Sequence, residues 1–254
     1  RSGDTIPSTL QWSTGGYSGF ETVELTDIDD PEGTAVADSV YDAFNLIRIQ
    51  PITPETDPYL VYDQITDVQL WDGTAWASAT NNPCPDACDG TFPGMDLTAD
   101  EQESTLAVKL IYAESPNRAD RIEGDLDAPP VGSGVARSID NDRALTLVWQ
   151  IRDTKRSDGS PALAVDEYNR PDAGVVRNTA NATGFPADGD PVSDTDFDDV
   201  VINDAPMTTT TDKTWAGGPI SVPGPDTPED DYPLSRMTVT TENTTPAKVD
   251  QLQI

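Results

Sequence analysis

Histidine is absent from the chain, cysteine occurs twice and basic residues are scarce: of 254 residues, 15 are Lys or Arg and 46 are Asp or Glu. Without histidine, neither a Ser-His-Asp nor a Cys-His catalytic arrangement can form. Two cysteines without histidine cannot complete a usual zinc site either. The formal net charge of -31 repels nucleic acids and anionic membrane surfaces, which excludes a nucleic-acid partner.

Long apolar runs are lacking as well. No segment is long enough to span a bilayer, and the start of the chain does not resemble a signal peptide. We therefore expect no membrane insertion, and we expect the chain to come from a longer protein. The acidic residues are mixed with apolar residues and five tryptophans, which is typical of a folded, strongly solvated domain rather than of a disordered acidic tail.

The two cysteines, Cys84 and Cys88, have three residues between them in a loop rich in Pro, Asp and Gly. This spacing favours a small loop disulfide, although two free thiols would give the same sequence. A disulfide would indicate an oxidising compartment, and we expect an extracellular or cell-surface location.

Alternation of apolar and polar residues predicts strands along most of the chain. The clearest strand is 145–152, in which Leu145, Leu147, Trp149 and Ile151 share one face. The other predicted strands span residues 8–13, 22–27, 44–49, 66–71, 105–113, 175–183, 236–241 and 249–254.

One short helix is predicted at 98–103, where Thr98 and Glu101 offer a capping box. Pro-rich, acidic stretches at 114–134 and 184–206 suggest domain boundaries. The expected fold is therefore all-β: tandem antiparallel β-sandwiches at 4–118 and 126–204, with the helix in the first. Residues 206–254 would be the opening strands of a further repeat, packed back on a first-type sandwich or exchanged with one.

The two ends of the chain share a sequence pattern that suggests a repeat. An aliphatic or aromatic residue before Pro, an alternating strand and a second strand occur near residue 6 and again near residue 232. The matched positions are Leu10, Trp12 and Leu25 at one end and Met237, Val239 and Leu252 at the other. This shared pattern favours the interpretation that the chain is one period of a tandem array. A chance match of two amphipathic strands is the alternative.

The C-terminal quarter carries a recognisable set of segments at 211–215, 228–232, 237–240 and 243–247, with further likeness at 3–5 and 176–183. Together these segments resemble the DUF11-type repeat of bacterial surface proteins. Glu229-Asp230 stands where that repeat has Gly-Asp. The resemblance implies immunoglobulin-like sandwiches in a stalk or adhesin of a secreted or wall-anchored bacterial protein, with neighbouring repeats or copies of itself as partners.

Clusters of aspartate raise the possibility of Ca²⁺ as a ligand. Alternating carboxylates in a loop can present several hard oxygens, and a cation would relieve their repulsion. Solvated acidic loops are the alternative interpretation. The candidate ligands are Asp188, Asp190, Asp194, Asp196 and Asp198 in the proposed linker, and Asp27, Asp29 and Asp30 after an early strand.

Two further kinds of site are predicted. Lys109 and Lys213 are candidates for an intramolecular Lys-to-Asn isopeptide bond, against the alternative that each ammonium reaches solvent. Trp71 and Trp76 flank an Asp-Gly turn that would place them opposite each other in a hairpin, where they could stack on a sugar.

The leading functional hypothesis is a structural or adhesive repeat without catalysis. The alternative is a module that binds a host or environmental glycan or protein through the Trp71/Trp76 hairpin and the Cys84–Cys88 loop. A carboxylate-dependent hydrolase is the weakest hypothesis, because the pattern singles out no pair of acids.

Overall fold

Strands form most of the regular structure in the computed structural model, which describes residues 2–16, 19–123, 128–165, 174–204, 209–216, 223–232 and 236–243. The strands are β1 (Thr5–Trp12), β2 (Phe20–Asp27), β3 (Phe44–Ile49), β4 (Asp63–Trp71), β5 (Trp76–Ser78), β6 (Cys88–Asp89), β7 (Met95–Asp96), β8 (Ala107–Glu114), β9 (Arg143–Ile151), β10 (Ala164–Val165), β11 (Val175–Pro186), β12 (Val192–Val201), β13 (Asn203–Asp204), β14 (Thr209–Ala216) and β15 (Arg236–Asn243). The predicted strand at 249–254 lies outside the described residues.

Two antiparallel sheets make up the body of the protein. The smaller has the order β1-β9-β3-β7, and the larger has the order β12-β11-β2-β8-β4-β5, with β6 also paired to β4. Strand β1 pairs with β9 along its whole length, from Thr5 opposite Gln150 to Trp12 opposite Arg143. Strands β10 and β13 form a short parallel pair, and β14 and β15 form a separate antiparallel pair.

The core lies between the two sheets. Alternate residues of β9 are buried, and they include the four apolar residues predicted to share one face. Trp12 of the smaller sheet meets Tyr112 of the larger sheet with ring centroids 4.8 Å apart. Each fully buried large apolar side chain contributes about 1.5–3 kcal/mol, so this face-to-face packing holds the sheets together.

The domain division predicted from sequence does not match this pairing. Strand β1 belongs to the predicted first unit and β9 to the second, yet they are neighbours in one sheet. Likewise, β2 pairs with β11 in the other sheet. Residues 4–118 and 126–204 are therefore interleaved in the same two sheets. The Pro-rich stretch 184–206 contains strand β12 of the larger sheet, and the stretch 114–134 contains helix α2 between β8 and β9, so neither stretch separates two sandwiches.

Helices are short. Helix α1 (Ala99–Ser104) begins at the N-cap Thr98 and has both reciprocal hydrogen bonds of the predicted capping box with Glu101. Helix α2 (Arg118–Arg121) follows β8. Single 3-10 turns occur at Val36–Asp38, Val40–Asp42, Leu60–Tyr62 and Glu229–Asp231. None of the described helices is long and apolar enough to cross a membrane.

Candidate functional site

The larger sheet extends past the smaller one at one side and leaves a cleft. Strand β1 is the last strand of the smaller sheet, whereas the facing sheet continues through β11 to its edge strand β12. The cleft between β1 and the β11–β12 pair has a volume of about 610 Å³. The sequence alone does not predict this cleft, because the cleft arises from the order of strands that lie far apart in the chain.

The floor of the cleft is apolar. Leu10 and Trp12 of β1, Leu25 of β2 and Trp149 of β9 line it, and all four are almost fully buried. Farther out, Ala180 and Ala182 of β11 are half-buried and pack against the same core. An apolar floor of this kind favours an apolar occupant.

One wall of the cleft is acidic. In β12, Asp194, Asp196 and Asp198 stand opposite Ala182, Ala180 and Asn178 of β11. Directly opposed residues share a face of the sheet. Because the two alanines pack on the core, the three aspartates lie on the face that lines the cleft.

The arrangement explains why the predicted Ca²⁺ ligands do not form a cage. Residues two apart on a strand are separated by about 7 Å, whereas oxygens that share one Ca²⁺ lie about 2.3–2.6 Å from the ion and so at most about 5 Å from each other. Asp188 and Asp190 lie in the turn between β11 and β12, beyond the aspartates of the strand. In the described part of the chain, no three His, Cys, Asp or Glu residues are grouped to hold a metal ion.

The other predicted ligands, Asp27, Asp29 and Asp30, have separate partners. Asp29 accepts a hydrogen bond from Thr195 Oγ1 at 2.9 Å, on the outer face of the sheet. Asp30 accepts from the backbone N–H groups of Glu32 and Gly33 and shapes a turn. The three carboxylates thus stabilise loop and strand contacts rather than converge.

Asp27 is the unusual member of this group because it is buried. Its carboxylate accepts hydrogen bonds from Asn178 Nδ2 at 2.9 Å and from the Tyr41 hydroxyl at 3.4 Å. Burial raises the pKa of Asp27 to about 7, although both hydrogen bonds favour the ionised form. Asn178 also lines the cleft, so this carboxyl group lies just behind the cleft wall.

A buried ionic network lies beside the cleft floor. Arg143 donates to Asp57 at 2.9 Å and to Asp63 at 2.8 Å, and Arg118 donates to Asp63 at 2.8 Å; all four side chains are fully buried. The Arg143 guanidinium also lies over the ring of Trp12, 4.1 Å from its centroid. These four residues could not be predicted from the sequence, since nothing in their local sequence distinguishes them from solvated charges.

The predicted tryptophan hairpin is present on the outer face of the larger sheet. Trp71 and Trp76 are directly opposed, with ring centroids 5.7 Å apart. Trp71 is only 7% exposed, and the Lys109 ammonium lies 4.5 Å from the centroid of the Trp76 ring. Sugar stacking on this pair stays a prediction, and the geometry leaves little free ring surface for it.

The two candidate isopeptide lysines have different surroundings. Lys109 forms an ion pair with Glu24 at 2.7 Å and stacks on Trp76. Lys213 lies on exposed β14, 5.5 Å from the centroid of the Trp215 ring. A carboxylate and aromatic rings are thus the partners of these ammonium groups, and an isopeptide bond stays a prediction.

The predicted disulfide between Cys84 and Cys88 is confirmed. Cys88 begins β6, which pairs with β4 opposite Ile65. The backbone N–H of Cys84 donates to the Asn82 side chain. The disulfide loop is thereby attached to the larger sheet.

Comparisons with protein-family models, with curated proteins and with solved structures gave no match for this chain. The resemblance to the DUF11-type repeat therefore rests on the sequence segments alone.

Proposed function

We propose that the chain is a structural or adhesive module of a secreted bacterial surface protein, part of a stalk or fibre, and that it performs no catalysis. The observation that carries this proposal is the pairing of β1 with β9 over eight residue pairs. A module in a stalk must transmit tension without opening, and strand pairs between distant segments resist such opening because many hydrogen bonds must break together.

Strand β12, the last strand of the larger sheet in sequence, is attached in a similar way. Strand β12 pairs with β11, and β11 pairs with β2 near the start of the chain. Tension applied between residues 5 and 201 therefore acts on both sheets rather than on a linker. The interleaved strands make the body one mechanical unit.

The buried network adds support between the strands. Asp63 begins β4, Arg143 begins β9 and Arg118 begins α2, and their ion pairs join these three elements inside the protein. Removing any member would leave an uncompensated buried charge, which is strongly unfavourable. The network thus fixes the relative positions of segments that are distant in sequence.

The secreted location is supported by the disulfide and by the surface charge. Disulfides persist in oxidising compartments, and the Cys84–Cys88 bond is formed. The net charge of -31 keeps a protein soluble and suppresses non-specific association.

Single-molecule force spectroscopy tests the structural role. With the chain placed between marker domains, we expect one rupture that releases residues 5–201. Its length gain is roughly 65–70 nm, at about 3.3–3.6 Å per residue, less the folded end-to-end distance. Two independent smaller steps, or gradual extension without a rupture peak, would contradict the proposal.

A further inference from the structure

The pair β14–β15 has one apolar face that is open to solvent. Trp215 is opposite Met237, and Lys213 is opposite Val239. Since opposed residues share a face, these four side chains lie together. Trp215 is 61% exposed, Met237 45% and Val239 36%. Isolated two-stranded sheets are at best marginally stable in water, so this face is suited to packing against another surface.

The opposite face of β14–β15 is polar. Its opposed pairs are Asp212 with Thr240 and Thr214 with Thr238. The pair is thus amphipathic, as a strand is when one face is buried and the other is solvated. This pattern favours addition of the strand pair to the edge of a sandwich. The apolar face that carries Trp215, here called the tryptophan face, would then be turned inward.

The cleft in the sandwich has matching dimensions. Beyond β1, the facing sheet extends by two strands, β11 and β12. Two added strands are about 10 Å wide and would extend the smaller sheet across this overhang. Strands β1, β14 and β15 are each eight residues long. Pro7 in β1 has no N–H to donate, so backbone pairing would depend mainly on the residues that follow it.

The chemistry of the two surfaces is complementary as well. Trp215 and Met237 would cover Ala180 and Ala182, and the Lys213 ammonium would face the acidic row on β12, in which Asp196 is central. Strands β14 and β15 would therefore supply apolar side chains to the apolar floor of the cleft and a cation to its acidic wall.

The occupant of the cleft would come from a second copy. Only residues 205–208 separate β13 from β14 in the sequence. Even so, the cleft and the tryptophan face of one molecule are both open and do not cover each other. We infer that β14–β15 of one copy pairs with the edge of β1 in a neighbouring copy, an edge to which no other described strand is paired, and closes its cleft. Because donor and acceptor surfaces differ, the contact is heterologous and copies join head to tail. This inference deepens the proposed structural role and rests on it.

Sedimentation velocity of the full chain over a range of concentrations tests the contact. We expect the average mass to rise beyond that of a dimer. Lys213→Glu and Asp196→Lys should each raise the dissociation constant roughly tenfold or more, since each places like charges together. The controls are Thr214→Glu, on the polar face of β14, and Asp190→Lys, in the exposed β11–β12 turn; both should assemble like the original chain.

Mixing the variants distinguishes this contact from other modes of association. Lys213→Glu retains an intact cleft and Asp196→Lys an intact tryptophan face, so the original contact can form between the two variants. Their two substituted surfaces carry opposite charges and can pair as well. The mixture should therefore assemble beyond a 1:1 complex, whereas each variant alone should not. The double variant, with both substitutions in one chain, should regain assembly because the charges are exchanged.

Several results would overturn the inference. They are a chain that stays monomeric at every concentration, equal weakening by Asp190→Lys and Asp196→Lys, and a mixture that forms no complex. A monomeric chain that still ruptures in one step under force would refute the docking and leave the structural role intact. A chain that assembles but extends gradually under force would refute the structural role and leave the docking contact intact.

Discussion

Among single residues, Asp27 is expected to control much of the pH dependence of stability. Its pKa is 3.8 in an ordinary environment and about 7 in the folded protein. The folded state therefore binds this proton more tightly, and the stability that the group provides is fully present below about pH 4. As the pH rises to about 7 it is lost, by an amount on the order of 4 kcal/mol.

Asp27→Asn should remove this loss. The variant should gain stability relative to the original chain between pH 4 and pH 7, and the difference should then level off. Urea unfolding at a series of pH values measures it, and Asp120→Asn, at an exposed position, is the control for loss of one negative charge. A stability difference that does not change with pH would show that folding does not raise the pKa of Asp27.

Arg143 shows how strongly a single buried charge can matter. Its replacement by Met would leave Asp57 and Asp63 buried with fewer partners, and burial already raises the pKa of both. We expect a loss of about 3–5 kcal/mol in the free energy of unfolding. The penalty should shrink at low pH, where these carboxyl groups can bind protons.

The control for Arg143→Met is Arg177→Met, which breaks the exposed ion pair with Asp199. Exposed pairs contribute little because solvent screens them, so chemical denaturation should detect no clear change. Similar losses in both variants would mean that the Arg143 network is not a special feature of the core.

At the scale of elements, the sequence was informative wherever a signal was local. The alternation in β9 predicted its buried face, the Thr98/Glu101 pattern predicted the start of α1, and the Asp-Gly turn predicted the opposition of Trp71 and Trp76. Each depends on residues only a few positions apart. Local periodicity and capping chemistry therefore sufficed for these elements.

Helix α1 offers a test of such a local signal. Thr98→Ala removes the side-chain acceptor for the Glu101 N–H and should cost about 1 kcal/mol in the free energy of unfolding. Thr98→Ser keeps the hydroxyl and should remain close to the original stability in the same urea titration. Equal losses in both variants would point to packing of the Thr98 methyl group rather than to capping.

Local periodicity and capping patterns could not predict the candidate site. Asp194, Asp196 and Asp198 suggest a metal loop in sequence, whereas in the structure they alternate along a strand and line a cleft. Their neighbours across the cleft belong to β1, more than 180 positions earlier. Long-range pairing decides which strands face each other across the cleft. Composition and residue spacing do not predict that pairing.

At the scale of the whole molecule, interleaving predicts that the first half cannot fold alone. A chain that ends at residue 123 lacks β9, which lies between β1 and β3 in the smaller sheet. It also lacks Arg143, the partner of two buried carboxylates. Such a chain should show no cooperative unfolding in urea and no near-ultraviolet circular dichroism from fixed aromatic packing.

A chain that ends at residue 204 is the matched control, because it keeps both large sheets and omits only β14 and β15. It should unfold cooperatively with nearly the free energy of the full chain at low concentration, where copies are separate. If the chain ending at residue 123 unfolded cooperatively instead, residues 4–118 would be an independent sandwich after all. The pairing of β1 with β9 would then be a contact between two domains, and the rupture under force should divide into two steps for the same reason.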